Sequence, residues 1–241
     1  DIYFYNLESG EVKNMTEGMM GYDINPTFSP DGTMLAWQSM ERDGYEADKN
    51  RLFVMNLATG EKTDLTENFD NNCDTYIWGE DNSTIYMVSS VNGTSQIYSV
   101  TLATKEIKAL TEGKHNYLSI ALGADGIIAS RQSMSQPTEI YSVNLNTGES
   151  TNITEENKHI LDQLQMGEVE ERWIETTDGK QMLTWVVYPP NFDPAKKYPA
   201  LLYCQGGPQS SLDQFWSYRW NMQMMAANGY IIVAPSRRGM P

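Results

Sequence analysis

The stretch LFVMNLATGEKTDLTEN, residues 52–68, decides the fold, because the chain repeats it. IYFYNLESGEVKNMTEG (2–18), IYSVTLATKEIKALTEG (97–113) and IYSVNLNTGESTNITEE (140–156) align with it without a gap. Successive copies begin 50, 45 and 43 residues apart. Within 52–68, Leu52, Val54 and Asn56 point to one side of an extended chain and Phe53, Met55 and Leu57 to the other, which is the alternation of a strand. Thr59-Gly60-Glu61 reads as a hairpin turn, with Gly60 free to take a positive φ. Residues 62–66 read as the returning strand.

A second hairpin precedes this one. In NPTFSPDGTMLAWQS (25–39) Phe28 ends one strand, Pro30-Asp31-Gly32 turns the chain, and residues 34–37 leave. Ile77-Trp78, Glu80-Asp81-Asn82 and 85–88 do the same before the third copy. Residues 120–122, Ala124-Asp125-Gly126 and 127–130 do so before the fourth. Two hairpins make one four-stranded blade, and a period in the low forties with this strand character predicts a β-propeller. The first copy has no partner hairpin, so the sequence carries about three and a half blades. An open β-sandwich of short strands is the competing arrangement, and a regular repeat argues against it.

The period stops after Thr154. EENKHILDQL (155–164) predicts a helix with Thr154 as its N-cap. Residues 172–176 and 182–188 predict strands joined at Asp178-Gly179, the second closed by Pro189-Pro190. PALLYC (199–204) is short, continuous and apolar, as a strand buried on both faces would be. Gln205-Gly206-Gly207-Pro208 follows it. Residues 212–228 predict a helix with Phe215, Trp216, Trp220, Met224 and Ala227 on one face, and Gly229 suits its C-terminal end. YIIVA (230–234) predicts another buried strand. The expected domains are a partial propeller over 1–154, a linking helix over 155–171 and an α/β portion over 172–241.

The 241 residues carry 17 basic and 32 acidic side chains, a net charge of −15. With no basic stripe the sequence argues against a nucleic-acid partner. Cys73 and Cys204 fall in different segments and imply no disulfide framework. No apolar run approaches the roughly 18 residues that span a membrane. Asp1 stands inside a repeat, so the natural N-terminus, with any signal peptide, is expected upstream.

The chemistry concentrates where a buried strand meets Gly206-Gly207 and a predicted helix. Glycines there turn backbone N–H groups toward one point without a side chain blocking a carbonyl under attack, which is one way to build part of an oxyanion hole. There is no Gly-x-Ser-x-Gly in the chain. Ser210 and Ser211 lack a nucleophile elbow. His115 and His159 are read as surface or structural residues, so no Ser–His–Asp constellation can be assembled. Asp70, Asn72, Asp74 and Asp81 match part of a calcium-loop spacing, but Thr75 stands where that loop needs glycine, so no metal is expected.

The quoted pieces resemble a family. NPTFSPDGTMLAWQSMERDGYEADKNRLFVMNLATGE, TTDGKQMLTWVVYPPNF, YPALLYCQGGPQ and GYIIVAPSRRGMP, in this order, are similar to bacterial serine peptidases of the prolyl oligopeptidase family. They lie close to its dipeptidyl-peptidase 5 and acylaminoacyl-peptidase branches. The resemblance covers essentially the whole chain. It implies β-propeller blades followed by the N-terminal part of an α/β-hydrolase domain, in a periplasmic or secreted exopeptidase that releases dipeptides or acylated residues from peptide N-termini. It implies a peptide substrate and no cofactor, and it puts the catalytic triad beyond Pro241. Gly206 and Gly207 take the positions of the family's oxyanion-loop glycines, with Gly207 the preferred N–H donor. Gln205 stands where relatives often carry His or Tyr, which shifts weight to the backbone. A non-catalytic propeller that binds proteins is the alternative.

MERDGYEADKN (40–50) lengthens the spacing before the second copy. Carboxylates in such a loop, Glu46 and Asp48, can hold a substrate's free ammonium; the competing reading pairs them internally with Arg42, Lys49 and Arg51. Unpaired strand edges and blade faces in a piece of this kind predict self-association or a disordered α/β portion, and the sequence leaves homo-oligomer formation by the whole protein open.

Overall fold

The computed structural model describes residues 1–45, 47–206 and 210–237. The chain forms two compact units, 1–89 with 97–109, and 90–96 with 110–241. In the first unit β1 (Tyr3–Tyr5) and β2 (Val12–Asn14) form an antiparallel hairpin. β3 (Asp23–Phe28), β4 (Met34–Ser39), β5 (Arg51–Asn56) and β6 (Lys62–Asp64) form a four-stranded antiparallel meander. β7 (Thr75–Trp78), β8 (Thr84–Val91), β9 (Thr94–Thr101) and β10 (Glu106–Ala109) are hydrogen-bonded in the same succession.

The repeated phrase is explained by two side chains. Asn56 Oδ1 accepts the N–H groups of Ala58 and Thr59 at 3.0 and 3.2 Å, while the Gly60 N–H closes on the Asn56 carbonyl at 2.8 Å. Asn6 and Asn144 build the same turn in their copies. Such local bonds to the backbone make asparagine a turn former. The threonine near the end of the phrase then closes the strand pair. Thr66 Oγ1 accepts the Leu52 N–H at 2.9 Å, Thr16 that of Ile2 at 3.0 Å and Thr154 that of Ile140 at 2.9 Å. The alternation read from β5 also holds. Leu52 and Val54 enter one core with Trp78, Ile85 and Met87. Met55 enters another with Leu35 and Trp37.

The second unit begins with the tip of the β8–β9 hairpin. β11 (Asn116–Gly123), β12 (Gly126–Ser133), β13 (Gln136–Val143) and β14 (Ser150–Asn152) form an antiparallel meander. One helical turn, α1 (Lys158–Leu161), follows. β15 (Val169–Glu175), β16 (Gln181–Val187), β17 (Ala200–Leu202), α2 (Met222–Ala227) and β18 (Ile231–Pro235) complete the unit. The sheet order is β15-β16-β18-β17, antiparallel except for the parallel pair β17–β18. Trp185, Val187, Ile232 and Ala234 of this sheet are fully buried against Met222 and Ala226 of α2.

Two expectations need correction. The helix placed over 155–164, within a linking segment 155–171, is one turn long, and Thr154 does not cap it. The Thr154 hydroxyl takes the Ile140 N–H and donates to Glu139, the role it inherits from the repeat. The helix placed over 212–228 is only Met222–Ala227, capped by Asn221, whose Oδ1 accepts the Met224 N–H at 2.9 Å. Upstream, Ser217 Oγ accepts the Arg219 and Trp220 N–H groups and bends the chain away from a helix. The buried face of α2 is Met222, Gln223 and Ala226, while Trp220 and Met224 are exposed. Within this chain β17 pairs with β18 alone, and Leu202 is 65% exposed.

Candidate active site

β17 and β18 are parallel, with Ala200, Leu201 and Leu202 opposite Ile231, Ile232 and Val233. The Tyr203 N–H extends the ladder to the Val233 carbonyl at 2.8 Å. Their carboxyl ends therefore lie at the same edge of the sheet, the place where open α/β sheets take ligands. The chain leaves β17 there through Tyr203, Cys204, Gln205 and Gly206. It leaves β18 through Ser236, whose N–H donates to the Leu183 carbonyl at 2.8 Å.

Tyr203 is half-buried and packs on Phe215, with ring centroids 6.4 Å apart. Cys204 is exposed and free, and Gln205 is half-buried. Gly206 is exposed, and a Cβ built on it meets no atom within 4 Å. Among the described residues no neighbour demands glycine there. Gly207 lies outside the described residues. Downstream, Leu212 is fully buried, and its carbonyl accepts Trp185 Nε1–H at 3.1 Å.

The other sequence candidates are placed as follows. Glu46 also lies outside the described residues. Asp48 belongs to the first unit, and its carboxylate accepts from the Arg42 N–H at 2.8 Å and from Arg42 Nε–H at 2.8 Å. This pairing, through its hydrogen bonds first, holds the Asp48 carboxyl below its usual range. The Arg42 guanidinium lies 3.9 Å from the centre of the Tyr45 ring. Lys49 Nζ donates to the carbonyls of Thr66 and Phe69 at 2.9 and 2.8 Å. Gln205 and Gly206 are adjacent at the end of β17 in the second unit.

His115 is half-buried, edge-on to Tyr117 at 5.1 Å between ring centroids. Burial, helped by the charge of Arg131, pushes its pKa down to about 4. His159 is exposed on α1. Ser210 is exposed and Ser211 half-buried. Among the described residues no group of His, Cys, Asp and Glu is arranged to hold a metal ion, and no helix is long and apolar enough to cross a membrane. Sequence reading missed the buried glutamines Gln214 and Gln223, 2% and 4% exposed. Their signal was weak, since each sat inside a segment read as one long amphipathic helix.

Residues 1–161 match the TolB beta propeller domain. The chain belongs to this β-propeller family. The TolB-type match takes in all four copies of the repeated phrase and ends in α1. The chain is also similar to dipeptidyl-peptidase 5 of Porphyromonas gingivalis and of Porphyromonas endodontalis, 51% identical to each over all 241 residues. It spans 35% of the length of each of these relatives. The Pyrococcus horikoshii acylaminoacyl peptidase shares its fold, with a TM-score of 0.80 at 21% identity, over 99% of this chain and 35% of that one.

Proposed function

We propose that this propeller chain is part of a serine exopeptidase that releases dipeptides, or acylated residues, from peptide N-termini. The observation that carries the reading is 51% identity along the whole chain to two dipeptidyl-peptidases. The propeller is assigned to 1–154, a linking segment to 155–171 and the N-terminal part of an α/β-hydrolase domain to 172–241. The parallel pair β17–β18 supports that last assignment, with α2 between its strands and a glycine stretch at its carboxyl edge.

In this reading the peptide carbonyl lies beside Gly206, where there is room for it. Backbone N–H groups of the glycine stretch, Gly207 first, take the charge that develops on its oxygen. The nucleophilic serine, its histidine and its acid are assigned to residues outside this chain. Glu46 and Asp48 are the carboxylates assigned to a substrate's free ammonium, Asp48 being paired with Arg42. The protein works in the periplasm or outside the cell, with peptides as partners.

The oxyanion assignment is tested in the full-length protein with a dipeptidyl chromogenic substrate. Gly207→Val should cost roughly 10²–10³ in kcat, the effect of losing one such donor. Gln205→Ala should cost much less. A loss with Gln205→Ala as large as that with Gly207→Val moves the donor to the side chain. Propellers also serve as binding modules, and a full-length protein that binds peptides without cleaving them would support that alternative.

A further inference from the structure

The repeat period stops after Thr154, yet the contacts inside the second unit run across that point. Met134, at the tip between β12 and β13, is 3% exposed. It belongs to one apolar core with Leu183, Trp185 and Ile232 of the sheet and Met222 and Ala226 of α2. The tip between β8 and β9 is Asn92-Gly93, with φ of +50° and +70°, the pair of left-handed residues that a tight type I′ turn uses. A Cβ built on Gly93 would stand 2.5 Å from Leu183 Cδ2 and 3.0 Å from Trp185 Nε1. The bare backbone of this tip therefore lies directly on β16.

One side chain gathers three segments. Gln223 of α2, 4% exposed, donates from Nε2 to the Ser135 hydroxyl at 2.9 Å and to the Gly167 carbonyl at 3.0 Å. Its Oε1 accepts the Gly167 N–H at 2.7 Å. A buried amide must find partners, and these come from the β12–β13 tip and from the segment that leads into β15. Gly167 is itself buried, and a Cβ on it would stand 1.8 Å from the Tyr188 carbonyl oxygen, so only glycine lets the chain pass this close to the end of β16. The other links are weaker. The connecting helix α1 buries no residue. The ion pair of Lys114 with Glu171 is 3.4 Å long and its lysine is exposed, a kind that contributes little.

We propose that the last meander, β11–β14, and the mixed sheet, β15–β18 with α2, open and close as a single cooperative body, and that Gln223 is the clasp that couples them. The end of the repeat at 154 is then no boundary of cooperativity. Opening the meander alone would strip Met134 from the sheet core and leave the Gln223 amide short of a buried partner. Opening the sheet alone would do the same from the other side. Leaving buried polar groups unpaired is the costly direction of hydrogen-bond loss, so the two parts open together. The inference stands whether or not the protein is a peptidase.

The test is hydrogen exchange of the full-length protein, in the regime where rates report opening equilibria. Wild type is compared with Ile232→Val, Val143→Ala, Gln223→Met and the double variant of Ile232→Val with Gln223→Met. Ile232 is fully buried in the sheet, and losing one methyl there should speed exchange in β16 and β18 about 2- to 10-fold. A single body predicts the same factor in β12 and β13, where no residue has changed. Val143 is fully buried at the end of β13 away from the tip, and Val143→Ala should speed β16 and β18 as much as β12 and β13. Strand β4, in the first unit, reports global opening. Gln223→Met keeps the bulk of the side chain and removes the amide, so in the double variant the effect of Ile232→Val should stay within β16 and β18. If Gln223→Met does not fold, Ser135→Ala removes the meander's share of the clasp, with the same expected split. The proposal is overturned if Ile232→Val acts on β16 and β18 alone, or if β4 speeds up by the same factor. It is also overturned if the variant lacking the clasp still passes the full factor to β12 and β13.

Discussion

Thr66 shows what a repeated letter is for. Its hydroxyl, fully buried, takes the Leu52 N–H at 2.9 Å. Thr66→Val keeps the shape and leaves that N–H unpaired, which costs about 1–3 kcal/mol; a denaturant midpoint lowered by that amount is the expected reading. His115 carries a pH dependence. Its pKa in the folded chain is about 4, against 6.5 ordinarily, because burial disfavours the charged ring. The unfolded chain therefore binds the proton first, and stability present above pH 6.5 declines as pH falls toward 4. His115→Gln should flatten the stability profile in that window, and a mutant profile parallel to wild type would refute the assignment.

The hairpins show where sequence and geometry agree and where they part. Gly60 and Gly148 occupy the same place in their turns, with φ of +75° and +71°. A Cβ on Gly60 meets nothing within 4 Å, whereas one on Gly148 would stand 1.7 Å from the Leu110 carbonyl oxygen. Gly60→Ala should cost about 1 kcal/mol, the left-handed penalty alone. Gly148→Ala should cost roughly 3 kcal/mol or more, as backbone clashes do; equal melting points would contradict the geometry. The turns and strands were legible because each is specified locally, by an asparagine, a glycine and a period of two. The elements after 154 were less so. Thr154 looked like a helix cap and is a strand clamp. Residues 212–220 looked helical by apolar spacing, but Ser217 bends the chain and Asn221 starts the helix late. Of the site, sequence pointed to the stretch after β17, whose role is a proposal. The contacts of Leu212 and Gln214 were not legible, because they come from hairpin tips roughly 80 to 120 residues earlier.

Taken as a whole, the chain joins TolB-type propeller repeats to a small mixed sheet whose parallel pair opens onto a glycine stretch. Repeats of this form stabilise a scaffold and specify no chemistry by themselves. The peptidase reading gains its weight from the relatives that match both parts. Every group it assigns in this chain binds or positions; none is a nucleophile or a base. The most direct measurement is hydrolysis of dipeptidyl chromogenic substrates, with free and with blocked N-termini, by the full-length protein and by the 241-residue chain alone. The account predicts turnover by the full-length protein on the free N-terminus, abolished by a serine-directed inhibitor, and none by the 241-residue chain. No turnover by a folded full-length protein, or inhibitor-sensitive turnover by the chain alone, would contradict it.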